Sequence, residues 1–259
     1  MNSIALNPDQ FGLVYNVLSF GLVSMLACTV YTLVSQSRVL PKYRTALVMS
    51  SMVTFIAAYH YWRIFNSFES SYVEGKVMVG TGKGDFNEGY RYVDWILTVP
   101  LLLVEVVAVL ALAKAAASSL INRLVPAAVA MIALGYPGEI ATGPDANGTK
   151  ILWGVLSTIP FLYILYVLFV ELSKSLDRQP AGVAATIGRL RLLLIATWGV
   201  YPIAYLLPIL GSDAMDPGAF VNRQIGYTIA DVAAKCVFGL TILKIARMKS
   251  VAEGMKEDA

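Results

Sequence analysis

Apolar runs long enough to cross a lipid bilayer, about 20 residues each, recur along almost the whole chain, at roughly 10–35, 44–67, 88–113, 122–141, 150–173, 189–210 and 224–247. No other feature narrows the fold as much. Inside hydrocarbon a chain must satisfy its own backbone hydrogen bonds, either as helices or as a closed barrel. These runs are too long for barrel strands and lack their period-2 alternation. The sequence therefore predicts an all-α membrane protein, a bundle of seven transmembrane helices forming a single domain over 1–259. Composition agrees: 57% of the residues are hydrophobic and only 14% charged, against about one quarter charged in soluble domains.

The opening "MNSIALNPDQFG" has no basic region before its apolar run and no small-residue cleavage site. A removable signal peptide is not expected, and the first span stays. Lys and Arg are unevenly divided among the connections. Arg38, Lys42, Arg44, Lys114, Arg123, Lys174, Arg178, Arg189, Arg191, Lys244, Arg247, Lys249 and Lys256 fall on one side; Lys76, Lys83, Lys150 and Arg223 fall on the other. By the positive-inside rule the N-terminus faces out and the C-terminus faces the cytoplasm. The expected location is the cell (inner) membrane, multi-pass and of bacterial type, with the lipid bilayer as first partner. The net charge of +3 says little else about partners, and none of nucleic acid is expected. Cys28 and Cys236 both lie inside predicted spans, where they read as small packing residues. No disulfide or metal framework is implied.

Connections are short except for one of about 20 residues between the second and third spans, on the outside. There "YVEGKVMV" and the glycines after it predict a small hairpin over the external mouth. After Lys249 only "SVAEGMKEDA" remains, and no soluble signalling or catalytic domain is expected.

An ionisable side chain in hydrocarbon costs a few kcal/mol, so each is a functional candidate. Arg91, Asp94 and Glu105 lie on the third span and Asp231 and Lys235 on the seventh, with His60 and Arg63 near the outer end of the second. On a helix, Asp94, Thr98 and Glu105 fall within about 40° of one another, and Glu105 lies about 16 Å from Asp94 toward the cytoplasm. Two carboxylates thus straddle the middle of the membrane on one face. Carboxylates bonded to neighbouring spans as structural glue would give the same pattern. Asp231 and Lys235, in "GYTIADVAAKCVFGL", are four apart and share a face. They can be a structural ion pair; equally, a desolvated lysine flanked by carboxylates can condense with an aldehyde to a Schiff base, with Asp231 and Asp94 neutralising the cation. Trp95, Trp153, Trp198, Tyr201 and Tyr205 lie within spans rather than at the interfaces, where they either pack or line a slot for a flat polyene. Pro100, Pro137, Pro160, Pro202 and Pro208 sit in or at the edges of spans, which membrane helices tolerate as kinks.

"RYVDW" with "TVPLLLVE", then "WGVYPIAYL", then "DVAAK" resemble the third, sixth and seventh helices of the microbial rhodopsins in order and spacing, and the likeness extends over all seven spans. The resemblance implies all-trans retinal on Lys235 as a protonated Schiff base, Asp94 as primary proton acceptor and Asp231 as the second counterion. It places Arg91 in the water network below them. It also implies a retinal pocket of Trp95, Thr98, Leu102, Met131, Gly135, Trp153, Phe161, Trp198, Tyr201, Pro202 and Tyr205. Leucine at 102 resembles the green-absorbing proteorhodopsins. Asp, Thr and Glu at 94, 98 and 105 look like an outward proton pump, whereas a chloride pump would need a neutral residue at 94 and a sodium pump Asn, Asp and Gln. For that chemistry Glu105 must rest neutral in its apolar shell, "LLLVEVVAVL", and Asp94 must rest ionised near cations.

Closest in character is the xanthorhodopsin group, through "YHYWRIFNSF", "GYPGEI" and "WGVLSTIPFLYILYVL". His60 is the only histidine and lies about 24 Å along the second helix, near the depth of Asp94. It matches the histidine that such proteins pair with the acceptor. The expectation is a hydrogen bond that tunes Asp94 and a place near a protomer interface. Glycine at 154, where many relatives carry tryptophan, is either a small residue for helix packing or the gap through which an antenna carotenoid approaches retinal. The resemblance favours a hydroxylated or keto carotenoid near Gly154 and Thr158. It also suggests a homo-oligomer, pentamer or trimer. Arg223 falls where the best-known archaeal pump keeps glutamates, so proton release must use other groups, such as Glu88, Glu139 or waters. The leading expectation is a light-driven proton pump, not an enzyme. A photosensory rhodopsin signalling through a partner is the alternative, and Glu105 as donor favours the pump.

Overall fold

The computed structural model describes residues 2–80, 83–141, 145–176, 179, 181–206, 209–210 and 215–256. Arg178 and Pro208 lie outside the described residues. Helices α1 (Pro8–Val34), α2 (Pro41–Ser71), α3 (Gly89–Leu110), α4 (Lys114–Glu139) and α5 (Ala146–Leu176) supply the first five spans. The sixth is α6 (Ala181–Trp198) and α7 (Val200–Leu206), interrupted at Gly199. The seventh is α8 (Pro217–Val232), a π-helical turn (Ala233–Val237) and α9 (Phe238–Ala252). The architecture is the expected seven-helix bundle.

Among the described residues, five helical segments are long and apolar enough to cross a membrane by length and composition. The second and seventh spans are not among them. The second carries His60, Arg63 and a series of buried hydroxyls, and the seventh is split into pieces of 16, 5 and 15 residues. Bilayer-facing apolar side chains are plentiful. Phe55, Val155, Ile159, Leu162, Leu192 and Ile203 are all exposed on the outside of the bundle, as a lipid-solvated surface requires.

Local sequence explains the helix starts. Asn7 caps α1 through a reciprocal capping box, its side chain accepting from the Gln10 backbone at 2.8 Å while Gln10 accepts from the Asn7 backbone at 3.1 Å. Pro8, Pro41 and Pro217 occupy first helical positions, where a missing N–H costs nothing. Asp216 caps α8 by accepting from the Ala219 backbone at 2.6 Å.

The predicted hairpin is present as β2 (Tyr72–Val73) and β3 (Lys76–Val79). Its two-residue turn, Glu74–Gly75, has φ of 51° and 79°, the left-handed pair a tight hairpin turn needs and that glycine supplies most easily. What the sequence did not predict is a third strand, β1 (Asn2–Ala5), which pairs antiparallel with β3 in the order β1-β3-β2, Ile4 opposite Val77. Four residues of mixed polarity before a helix cap carry no strand signal by themselves. The sheet packs Ile4, Leu6 and Val77 onto Phe68, Phe86 and Phe220 at the external end.

At the opposite end, Glu253 accepts from Tyr43 Oη at 2.6 Å and pairs with Lys42. The Lys42 and Tyr43 hydrogen bonds hold the Glu253 carboxyl below the usual carboxylate range. The main core lies around α3, whose residues Trp95, Leu102, Leu103, Val106 and Leu110 are buried against the other helices.

Candidate functional site

Arg91 and Asp94 on α3 converge with Asp231 and Lys235 on the seventh helix, while Glu105 stands apart. Lys235 Nζ donates to Asp94 Oδ2 at 2.5 Å and to Asp231 Oδ1 at 2.8 Å, and all three residues are at most 2% exposed. Two charges taken out of water need both mutual attraction and further hydrogen bonds to be tolerated. Asp231 has these: Tyr61 Oη donates at 2.8 Å, Tyr201 Oη at 2.7 Å and Trp95 Nε1 at 3.2 Å. Asp94 is sparsely held, and its Oδ1 is buried without a hydrogen-bond partner among the described residues.

Lys235 sits at the centre of the π-helical turn Ala233–Val237. Such single turns are rare and cluster at functional sites, because the extra residue re-aims side chains on an otherwise regular helix. Tyr61 is aimed by close packing. Its ring lies against Gly21 of α1, where a Cβ would approach ring carbon Cε1 to 2.5 Å. A larger residue at 21 would push Tyr61 off Asp231.

Arg91, 1% exposed, reaches Tyr61 Oη at 3.4 Å and Gln224 Oε1 at 2.7 Å, and its Nη1 lies 3.8 Å from Asp231 Oδ2. Its guanidinium also stands over the rings of Tyr61 and Tyr227, at 5.7 and 5.3 Å. Thr98 donates to the Asp94 backbone oxygen at 2.8 Å. About two turns beyond, Glu105 is fully buried and accepts from Ser50 Oγ, while its Oε2 has no partner among the described residues. One hydroxyl is little support for a buried charge, so this site suits the neutral acid.

His60 departs from expectation. Its Nδ1 lies 2.9 Å from the Ile56 backbone oxygen and 3.9 Å from Asp94 Oδ1, beyond hydrogen-bond reach. The ring is 6% exposed and edge-on to the exposed Tyr59. It therefore faces Asp94 across 3.9 Å without a hydrogen bond between them. His60→Asn is expected to shift the pH midpoint of the pigment's colour change, and an unchanged midpoint would remove His60 from the site.

From Lys235 an apolar cavity of about 270 Å³ runs between α3, α4, α5 and the sixth helix. Of the expected lining, Trp95, Leu102, Met131, Gly135, Phe161, Trp198, Tyr201, Pro202 and Tyr205 face it. Gly154 and Thr158 face it as well, so it extends to the outer side of α5. Thr98 and Trp153 do not line it. The Thr98 hydroxyl turns back onto its own helix, and Trp153 packs against Gly138. Sequence reading missed Tyr61, Tyr227, Gln224 and Ser50, because a tyrosine or small polar residue in a span reads as packing. The available signal was their closeness to charges: Tyr61 follows His60, and Gln224 falls seven residues before Asp231 on one helix face.

The profile of the bacteriorhodopsin-like proteins matches residues 14–248. A solved xanthorhodopsin, described as a light-driven ion pump with dual chromophore, superposes with a TM-score of 0.90 at 46% identity, covering 97% of this chain and 99% of that one. A solved thermophilic rhodopsin gives a TM-score of 0.89 at 42% identity over 97% and 99%. The green-light absorbing proteorhodopsin of the gamma-proteobacterium EBAC31A08 is 32% identical over 241 residues, 91% of this chain and 88% of its own. With the paired carboxylates around a helix-seven lysine in the same bundle, these matches show that the chain belongs to the bacteriorhodopsin-like family of microbial rhodopsins.

Proposed function

We propose that this protein is a light-driven outward proton pump carrying all-trans retinal on Lys235 as a protonated Schiff base. One observation carries the reading. Lys235 is held between two buried carboxylates at the end of an apolar cavity, and a third buried carboxylate, Glu105, lies farther along the face of α3 that bears Asp94. The relatives support it: one is a light-driven ion pump by description, and another absorbs green light.

The residues present fit retinal. A long apolar aldehyde needs an apolar, ring-lined cavity with one amine at its end, and the 270 Å³ cavity that starts at Lys235 has those features. Retinal, when bound, supplies visible absorption and a light-driven change of shape at the Lys235 nitrogen. The chain supplies the proton path. Asp231, fixed by Tyr61, Trp95 and Tyr201, acts as a permanent counter-charge, since hydrogen bonds to a carboxylate favour its anion. Asp94, with a free oxygen and the 2.5 Å contact, accepts the proton from Lys235 Nζ. Glu105 returns one from the other side, about 16 Å along the helix axis. Arginine and lysine asymmetry sets the direction, with the Asp94 side outward and Glu105 toward the cytoplasm of a bacterial inner membrane.

A carotenoid with a hydroxylated or keto ring is the second proposed ligand. Gly154 and Thr158 open the cavity toward lipid, and Tyr205 stands where a side chain at 154 would go, its Cε1 2.8 Å from an added Cβ. The dual chromophore of the xanthorhodopsin relative supports this. In the Gly154→Trp variant the retinal pigment is expected to persist while carotenoid bands vanish from its excitation spectrum. Carotenoid bands of full height in that variant would overturn the placement. Assembly as a trimer or pentamer of this single domain completes the proposal.

Unbuffered cells expressing the chain with all-trans retinal should acidify the medium on illumination, and a protonophore should abolish the change. A visible pigment with no pH change would overturn the pump in favour of a photosensor that signals through a partner.

A further inference from the structure

A second, polar cavity lies at the external end of the bundle, lined by Glu88, Glu139, Lys150, Ala204, Tyr205 and Arg223, with a volume of about 40 Å³. It is separated from the chromophore cavity by Tyr205, which borders both and donates to the Lys150 backbone oxygen at 2.7 Å. A volume of this size holds a water or two when, as here, its walls are polar.

Hydrogen bonds connect this cavity to the buried charges. Arg91 Nη2 donates to Gln224 Oε1 at 2.7 Å, Gln224 Nε2 donates to Glu88 Oε1 at 2.7 Å, and Arg223 Nη2 donates to Glu88 Oε2 at 2.9 Å. Glu88 is six residues before Asp94 on the same helix, about 9 Å farther out. It is the next carboxylate on the outward path. Gln224 is fully buried, so the link crosses a region closed to bulk water.

The charges around the cavity also fix what this carboxylate does. The carboxyl groups of Glu88 and Glu139 face Arg223 and Lys150, with Arg91 behind Gln224 and the hydroxyls of Tyr92, Tyr205 and Tyr227 nearby. Both carboxyl oxygens of Glu88 are acceptors, Oε1 from Gln224 and Oε2 from Arg223. With donors on both oxygens, this carboxyl is placed to receive a proton from the inner side, not to release one in advance.

We propose that Glu88 is the exit carrier of the pump, taking up the proton that leaves Asp94 and handing it to the outside through the cavity it shares with Glu139. This rests on the pump reading above. In the step, the Asp94 acid loses its proton and becomes a carboxylate again, and the Glu88 carboxylate gains it and becomes neutral. Neutral Glu88 loosens its pairing with Arg223, then gives the proton to water in the cavity and returns to the anion. Charge and protons balance, with one proton moved outward.

The test is flash excitation of the pigment in proteoliposomes or cell membranes with a pH-indicating dye outside. Wild type should take up a proton from the inside before one appears outside. In Glu88→Gln, proton appearance outside and recovery of ionised Asp94 should slow together by about a hundredfold, the low end of what a positioned proton carrier contributes. The earlier transfer from Lys235 to Asp94 should keep its rate. A small weak acid such as azide added outside should restore the exit rate, which a merely structural role for Glu88 would not allow. Unchanged exit in Glu88→Gln, or slowing that no weak acid relieves, overturns the proposal while leaving the pump standing. If wild type itself moves no proton, the pump reading fails first. Should Glu88→Gln give no pigment, Gln224→Leu keeps every charge and breaks only the link. It should slow exit likewise, and normal exit there overturns the proposal.

Discussion

Replacing Asp94 by asparagine is expected to stop transport, with at least about a hundredfold loss in light-driven proton flux, within the range that a positioned proton acceptor contributes. The pigment itself should still form. Asp231 keeps its 2.8 Å bond to Lys235 and its three donors, so the lysine cation retains one counter-charge. Two further consequences follow from the lost charge. The visible band should move to longer wavelength, because a counter-charge at the nitrogen stabilises the ground state, where positive charge is concentrated there, more than the excited state. Stability should fall, since removing one member of a buried ion pair costs about 3–5 kcal/mol, with the low end expected where a second carboxylate remains. Flux assays and thermal denaturation of the retinal-loaded protein check the two magnitudes separately.

Glu105→Gln should leave proton transfer to Asp94 intact and cripple the return step. On the proposed pump reading the wild-type donor is Glu105 itself, fully buried beside Ser50 and Gly239, so return is expected to be nearly independent of the bulk pH around neutrality. Without it the proton must come from solution. The return rate should drop by about a hundredfold and then fall about tenfold for each unit rise in cytoplasmic-side pH, since it follows proton concentration. Flash measurements at several pH values read this directly. A return rate in Glu105→Gln that stays fast and flat with pH would show that the proton enters elsewhere.

Much of this site was legible in the sequence because charge in hydrocarbon has few innocent explanations. Arg91, Asp94, Glu105, Asp231 and Lys235 could each be picked out from one chain, and helix geometry placed Asp94 and Glu105 on one face. The fold followed from the apolar runs for the same reason: hydrocarbon leaves helices as the solution for runs of that length. What remained hidden were features set by contacts between spans. The π turn at Ala233–Val237 has no local signature in "AAKCV", and only packing of the seventh helix on its neighbours selects it. Strand β1 forms because β3 offers it an edge, not because "NSIA" favours a strand. His60 was expected to hydrogen-bond Asp94 from its depth and from the histidine it resembles, but its ring nitrogen is placed by the carbonyl of Ile56 and lies 3.9 Å from the carboxylate. Tyr61, Ser50 and Gln224 looked like ordinary polar residues in a span. Their roles depend on which carboxylate or cation the bundle brings opposite them.

The proposal that Asp94 and Glu105 are two proton stations on opposite sides of Lys235 can be read out by time-resolved infrared spectroscopy of the illuminated protein. One protonated-carboxyl stretch should appear as Lys235 gives up its proton and be missing in Asp94→Asn. A second, present in the dark, should disappear later and be missing in Glu105→Gln. Both bands persisting unchanged in the two variants would show that neither carboxyl carries the proton.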